Sequence, residues 1–538
     1  MLVLALAYWW FHPAINIQSI DLWGFLIVIL ALVTFVLFVF RQIYQTGMGK
    51  REKSPKKVKL FSGLMAIPIA IAVIGAVGWL ASQSFFPGNA EKYSTVLVTE
   101  DADFATDIPE VNYSEIPFID KDSAILLGNR TMGTMADYVS QFEISDLYSQ
   151  INYKGQPVRV SPLNYADFFK WWANKDGGIP AYVIVNMSTQ DTEIVRLENP
   201  IRYSDSDPFF YNVDRHVQLS YPFYMFDEKS FEINDDGEPF WIYPVQKRTI
   251  GLFGGTTIQR VVLCNASTGE CQDFAIEDVP QWVDRAYPAE LLIEQYNWSG
   301  ALSGGWINSW LGQNGVKQTT PSTDGKSGFN YIAQDDDVWV YSGVTSATAD
   351  NSIIGCVMIN QRTAESKFYS VAGATEESAM RSAEGQVQHL QYDATFPLLI
   401  NVDGQPTYFM ALKDAAGLVK MYAMVDIQRY QNVAVGDTLA ATEKSYKQLL
   451  VSQGVNVGGS DASAHPSAGS TSGTIASISP VVLDGNSHYY LILDGQQAIF
   501  DCPVASVVDV VRYKVGDVIV LNHGSSEGNV VLVDSIGE

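Results

Sequence analysis

Apolar positions are spread unevenly along the chain. Leu22–Phe40 reads LWGFLIVILALVTFVLFVF and Leu60–Ser82 reads LFSGLMAIPIAIAVIGAVGWLAS, neither with a charge. Each is long enough to cross a bilayer as a helix, and Pro68 and the glycines are tolerated there. Met1–Phe11 is also apolar, but 11 helical residues reach only ~16 Å, about half the hydrocarbon core, which predicts partial insertion or an interfacial position. After Ser82 the pattern changes to short β-rich runs broken by turn residues, with a few Ala- and Glu-rich stretches between them.

Those runs repeat. Residues 151–157 read INYKGQP, 233–239 read INDDGEP and 400–406 read INVDGQP, at intervals of 82 and 167 residues. The second interval is about twice the first, and IAQDDDVWVY at 332–341 fills the missing slot without the Gly and Pro. Gly155, Gly237 and Gly404 supply the positive φ of a tight turn, and Pro157, Pro239 and Pro406 can open the next strand, where a ladder donor is not required. A second signature, N-x-x-T-x-[DE], starts at Asn186, Asn265 and Asn360 after YVIV, RVVLC and CVMI. Asn and Thr close turns by bonding nearby backbone, so each is a predicted hairpin. The fourth copy, KMYAMVDIQRYQN, lacks the Thr. Helices are predicted over Thr375–Leu390, over Pro280–Tyr296 with a break or restart at Pro288, over Gly133–Tyr148 and over 207–217. The expected unit is one helix covering one face of an antiparallel sheet.

This order of elements resembles the PepSY-type module, a small cystatin-like helix-on-sheet domain, best at 233–276, where INDDGEPFWIYPVQ leads to VVLCNASTGECQDFAI. The resemblance implies an extracytoplasmic binding or regulatory module, sometimes associated with proteases, and brings no catalytic residues. The whole arrangement is also similar to membrane-anchored proteins of Gram-positive bacteria. Val451–Gly473, rich in Gly, Ser and Ala, is a predicted flexible linker. Beyond it about five strands, with a possible short helix near Ala505–Val511, resemble a small OB-type barrel. The expected organisation is α+β: a transmembrane anchor (1–82) with a basic loop (41–59), a connector (83–130), repeats over 131–200, 201–279, 280–373 and 374–450, a linker (451–473) and the barrel (474–538).

Charge sharpens the topology. The loop between the spans holds Arg41, Lys50, Arg51, Lys53, Lys56, Lys57 and Lys59 against Glu52 alone, so the positive-inside rule places it in the cytoplasm and residues 83–538 outside. A cleaved signal peptide is the competing reading, and two full spans flanking a basic loop do not fit its three-part pattern. The chain carries −25 overall, with 57 of its 59 acids after residue 82. So acidic a surface repels phosphate backbones and disfavours nucleic acid. The barrel region, with Arg512 and Lys514 against eight acids, disfavours it too.

Candidate chemistry is sparse. The six histidines are scattered, and neither H-E-x-x-H, C-x-x-C, G-x-S-x-G nor a Walker lysine occurs. No cofactor is expected. The acidic turn Asp335, Asp336, Asp337 and the pair Asp205 and Asp207 could offer oxygen ligands to calcium, though without EF-hand spacing; solvated turn acids are the plainer alternative. Cys264 and Cys271 flank a predicted turn and could bridge across the hairpin in an oxidising compartment; Cys356 and Cys502 read as buried thiols. Trp306 and Trp310, in the glycine-flanked GGWINSWLGQNG, read as a loop whose aromatics could stack on a sugar or fill a partner's pocket, with core packing as the alternative. Phe168–Trp172 is a second aromatic run. These features point to a membrane-anchored extracytoplasmic scaffold for cell-envelope proteins, sharpened by the family resemblance to protease regulation. The competing classes are an envelope-polymer hydrolase with acids in an inter-repeat cleft, and an accessory subunit of a membrane complex.

Overall fold

A computed structural model of the chain describes residues 2–46, 54–110, 116–321, 328–334, 336–346, 352–452, 469–483, 486–496, 498–504, 507–523 and 530–537. The architecture is mixed α+β, with apolar helices at the start and several antiparallel sheets after them. The chain divides into two compact units, Met1–Tyr446 and Lys447–Glu538.

In the first unit, α1 (Leu2–Phe11) precedes two long helices, α2 (Ile20–Thr46) and α3 (Pro55–Ala81). Both long helices are apolar enough to cross a membrane and almost none of their length is buried within the protein. The start of α2 and the end of α3 are joined to the rest of the unit. Ser82, just past α3, donates its Oγ–H to Gly78 O (2.7 Å) and accepts from the N–H groups of Leu252 (2.8 Å) and Phe253 (3.0 Å), and its carbonyl accepts from Tyr93 OH at 2.7 Å. Helix-end carbonyls and loop amides that would otherwise lack partners thus satisfy one another. On the α2 side, Ile15 N–H donates to Pro222 O at 2.6 Å, Asn16 Nδ2 to Phe223 O at 3.2 Å, and the Arg215 guanidinium lies 4.0 Å from the Trp9 ring centre. Residues 251–253 connect the strands Pro239–Ile250 and Gly254–Asn265.

Four main sheets follow: the first of Phe142–Ile144, Ser149–Tyr153, Gln156–Tyr165, Ile179–Asn186 and Thr192–Ile201, the third built around Asp337–Ser346, Gly355–Asn360 and Ser366–Tyr369, and the fourth around Leu398–Val402, Gln405–Lys413, Val419–Asp426 and Val433–Gly436. The second has the strand order Cys271–Ala275, Gly254–Asn265, Pro239–Ile250, Ser230–Ile233, every neighbour antiparallel. Helix Val213–Ser220 lies on one of its faces. The other face, carrying Ile242, Ile258, Val261 and Leu263, packs on helix Ala289–Leu302, which also meets Val340, Val344, Val357 and Ile359 of the third sheet. That third sheet turns its alternate residues Trp339, Tyr341, Cys356 and Met358 toward helix Glu376–Gln386 and the fourth sheet. Successive side chains along a strand point to opposite faces. With helices on both sides, Asp337–Ser346 is therefore buried at nearly every position rather than alternating.

Several expectations change. The helix before the first sheet is Lys121–Gly133, capped by Asp120, whose carboxylate accepts from Ser123 N–H at 2.9 Å; Gly133–Tyr148 instead holds turns and the strand Phe142–Ile144. Residues 83–130 do more than connect, since Thr99–Ala102 pairs in parallel with Ser366–Tyr369 of the third sheet. The later helices are Val213–Ser220, Ala289–Leu302, with Pro288 at its cap, and Glu376–Gln386. Phe168–Asn174 is a short helix.

The second unit contains five strands that close into a barrel in the order Gly469–Leu483, Asn486–Leu493, Ile499–Pro503, Val530–Gly537, Val518–His523. Its first strand starts at Gly469, inside the stretch read as linker; the rest of that stretch beyond Ser452 up to 468 lies outside the described residues. A 3-10 turn, Val508–Arg512, stands where the short helix was expected.

Candidate functional sites

The glycines of the first signature lie in hairpin turns with φ of 76°, 79° and 76° at Gly155, Gly237 and Gly404. In the slot at 332–341, which lacks the Gly, Asp336 takes φ 65° instead. Asp335 lies outside the described residues. Asp336 accepts from Asn152 Nδ2 of the first sheet at 3.2 Å. Asp337 accepts from Arg362 Nε (2.6 Å) and Nη2 (2.7 Å), Asn360 Nδ2 (2.7 Å) and Gln281 Nε2 (3.3 Å). A carboxylate so engaged is a structural tie, and it has little left for the calcium ion considered from sequence. Beside it, buried Glu232 accepts from the backbone N–H of Asp284 (2.9 Å) and of Arg285 (3.1 Å), while Asp284 accepts from Asn152 N–H at 2.6 Å. Burial pushes both carboxyls up, Asp284 well above the usual carboxylate range. Asp205 bridges to Lys229 at 2.8 Å and Asp207 accepts from Trp171 Nε1 at 2.6 Å, which removes that pair from cation binding as well.

Trp306 and Trp310 lie on a helical turn that continues through Asn308–Gly312 rather than in an open loop. Their rings stack 6.1 Å apart at 20°, and Trp306 meets Phe85 edge-on at 6.0 Å. Phe85 follows α3 by four residues, so this aromatic turn stands beside the C-terminal end of that apolar helix. Ile307, Trp310 and Leu311 are each about two-thirds exposed, at 66%, 67% and 69%. Contiguous apolar exposure of this kind marks an interaction surface, and Trp is favoured at membrane interfaces.

A cleft of about 1070 Å³ opens between the second sheet and helix Ala289–Leu302, lined by Asp227, Arg248, Glu290, Glu294, Trp298 and Phe396 among others. Burial raises the Glu294 carboxyl, Arg248 pulls it down and Asp227 pushes it up. A partly buried acid beside a second carboxylate and aromatic walls is the kind of setting in which a proton can be held for transfer.

The most compact cluster of reactive groups is at the hairpin after Gly254–Asn265. Phe231, Trp241, Cys264 and Cys271 are cross-strand partners in one row of the second sheet. Asn265 N–H bonds Glu270 O at 2.9 Å, so the next pair out, Cys264 and Cys271, is of the non-hydrogen-bonded type, in which Cα atoms stand ~4.5 Å apart and side chains are closest. That separation suits a disulfide, yet both thiols are free. His216, from the helix over this face, completes the group, and the ligand atoms of His216, Cys264 and Cys271 all lie within 4.8 Å of one another. Among the described residues this is the group of three metal-ligating side chains close enough to share an ion. The His216 ring bonds Gly269 O through Nε2 at 2.8 Å. The hydrogen bond from Cys264 holds the Cys271 thiol down at about 6, burial opposing and His216 assisting, and the same bond together with burial pushes Cys264 up. His216 in turn is raised by its bond to Cys271. Cys264 is buried and Cys271 half-buried. Sequence reading found the two cysteines and missed His216, Asp227 and Glu294. The spacing of Cys264 and Cys271 around a turn was the available signal; the partners arrive only through helix-on-sheet packing. Cys356 and Cys502 are buried free thiols, as read.

No family model matches the chain, and no curated protein does. Among solved structures it is similar to a Synechocystis apocarotenoid oxygenase mutant at 10% identity, over 73% of this chain and 61% of that one, with a TM-score of 0.15. It is similar to the cobalt-substituted form of that oxygenase at 7% identity, over 53% and 47%, with a TM-score of 0.12, and to a B. megaterium levansucrase mutant at 10%, over 82% and 97%, with a TM-score of 0.17. The chain spans less than two thirds of the length of these oxygenases. Likenesses at such scores carry no argument about fold or activity.

Proposed function

We propose that the chain is a membrane-anchored extracytoplasmic scaffold that binds cell-envelope or membrane proteins, with the helix-on-sheet units as tandem PepSY-like (cystatin-like) copies and the terminal barrel as an OB-like module. The carrying observation is the junction at the outer ends of the spans. Ser82 is bonded to Leu252, Phe253 and Tyr93, and Ile15 and Asn16 to Pro222 and Phe223. A body fixed in this way presents its surfaces at a set height and orientation, which suits organising partners better than reaching for a diffusing substrate. The apolar turn Trp306–Leu311 beside that junction offers a surface for a membrane-embedded partner. The basic loop 41–59 favours a cytoplasmic position, leaving residues 83–538 outside. Protease regulation is the narrower form of this reading and rests on the PepSY resemblance.

The cleft with Asp227, Glu290 and Glu294 favours a second reading, an envelope-polymer hydrolase that uses two of these carboxylates as acid and base. Photocrosslinking residues placed at Ile307 and Leu311 of the full chain in cells separate the two. Under the scaffold reading, defined envelope or membrane proteins are recovered. Recovery of lipid adducts alone, together with polymer turnover by the purified chain that Glu294→Gln abolishes, would replace it with the hydrolase.

A further inference from the structure

Three features of the Cys264–Cys271 hairpin make it more than a structural staple. The two side chains are directly opposed in a non-hydrogen-bonded pair of a regular sheet, so a bond between them needs little backbone movement. Their exposures differ: Cys264 is fully buried, whereas Cys271 is reached from solvent at the sheet edge. A titratable base, His216, stands within 4.8 Å of both sulfurs on a helix whose start is fixed through Asn212, and its Nε2–H donates to Gly269 O of the same turn. An accessible sulfur, a shielded second sulfur and an adjacent base are the parts needed for disulfide exchange.

We propose that Cys271, Cys264 and His216 form a thiol–disulfide exchange centre whose substrate is an exposed disulfide of a protein or small molecule on the same side of the membrane. Cys271, as its thiolate, attacks one sulfur of the substrate disulfide; a new S–S bond forms, the substrate S–S bond breaks and one substrate sulfur leaves as a thiolate. Cys264 then gives its proton to the neutral imidazole of His216 and attacks the Cys271 sulfur of the mixed disulfide. The chain's own S–S bond forms, and the second substrate sulfur leaves and takes up the proton. Two electrons pass from the chain's dithiol to the substrate disulfide, which ends as one thiolate and one thiol. The centre is independent of the acidic cleft and of the scaffold reading, apart from the side of the membrane on which its substrate is sought.

The full chain, solubilised, reduced with dithiothreitol and desalted, is mixed with the aromatic disulfide dithiobis(nitrobenzoate), which releases a coloured thiolate at each step. Wild type is expected to release two equivalents quickly, Cys264→Ser one equivalent with the aryl group retained as a mixed disulfide, and Cys271→Ser none on that timescale, since Cys356 and Cys502 are buried. His216→Ala is expected to release the first equivalent about ten-fold more slowly at pH 7 and to recover at higher pH. Cys264→Ala, with a thermal melt like wild type, keeps the comparison valid if the serine variant fails to fold. One equivalent from wild type, or equal release from Cys271→Ser, overturns the proposal. So does a reduced chain that retains one zinc ion per molecule through desalting, with both thiols unreactive until a chelator is added, which would make the cluster a metal site.

Discussion

The hairpins closing the second and third sheets use the same turn for different ends. In both, the Asn side chain accepts from the N–H groups two and three residues on: Asn265 from Ser267 (3.0 Å) and Thr268 (3.0 Å), Asn360 from Arg362 (2.8 Å) and Thr363 (3.0 Å). In both, the Thr hydroxyl then accepts from the next acid's N–H at 3.2 Å. Asn186 and Thr189 repeat these bonds in the first sheet. What differs is the residue set around the turn. The third hairpin places Arg362 within it, and this arginine closes on Asp337. The second has Ser267 in that place, donating to Asn199 O at 2.8 Å at the surface, and flanks the turn with Cys264 and Cys271, where the third has Ile359 opposite Ser366. The turn motif therefore builds hairpins, and the neighbouring residues decide whether a hairpin ties the body together or carries chemistry.

The sharpest way to break that distinction is at the tie. Asp337→Ala leaves the Arg362 guanidinium without its bidentate partner and should destabilise the chain by about 3–5 kcal/mol in chemical denaturation, whereas Ser267→Ala at the matching place of the second hairpin should cost under about 1 kcal/mol. Equal losses would mean that Arg362 and Asp337 are no more than surface partners. The shared part of the turn is tested next. Asn186→Ala, Asn265→Ala and Asn360→Ala each remove two side-chain acceptors from backbone N–H groups, and each should cost about 1–2 kcal/mol. A much larger loss at one of them would show that its turn does something the other two do not. A smaller effect comes from the first signature. Gly404→Ala, at φ 76° with nothing near the added methyl, should cost about 1 kcal/mol from backbone strain alone.

How much of this was readable from sequence follows from the range of the interactions. The N-x-x-T-x-[DE] turns and the glycine turns are local: a side chain bonds backbone two or three residues away, so composition and spacing suffice. The paired cysteines were readable for the same reason. Helix Lys121–Gly133 had a local signal as well, in Asp120 three residues before Ser123. His216 was not readable, because its approach to Cys271 depends on how a helix settles on a sheet. The role of Asp336 and Asp337 was equally hidden, since their partners Asn152 and Arg362 stand 184 and 25 residues away. The acidic turn looked like a ligand cluster because its donors are remote in sequence, and the double-sided burial of Asp337–Ser346 was hidden by the same distance.

The smallest expected change in stability accompanies the largest expected change in reactivity. Cys271→Ser removes a half-buried sulfur at a sheet edge and should shift stability by no more than about 0.5 kcal/mol, while abolishing alkylation of the second hairpin. In wild type the reacting species is the thiolate, which is present above the thiol's pKa, so the alkylation rate of Cys271 by iodoacetamide should rise through pH about 6 and level off above it. The bond from Cys264 is the main cause of that low value and His216 pulls in the same direction. Removing either should move the midpoint upward, toward the ~8.5 of a free cysteine, with Cys264→Ala, which leaves no donor, moving it farther than His216→Ala. The residues opposite each other in the third hairpin, Ile359 and Ser366, offer a control: Ser366→Cys places one thiol at the matching but buried position, opposite an apolar residue, and burial should push its midpoint above the ~8.5 of a free cysteine. A midpoint for Ser366→Cys as low as that of Cys271 would assign the shift to the turn that the two hairpins share, and would remove the chemical distinction between them.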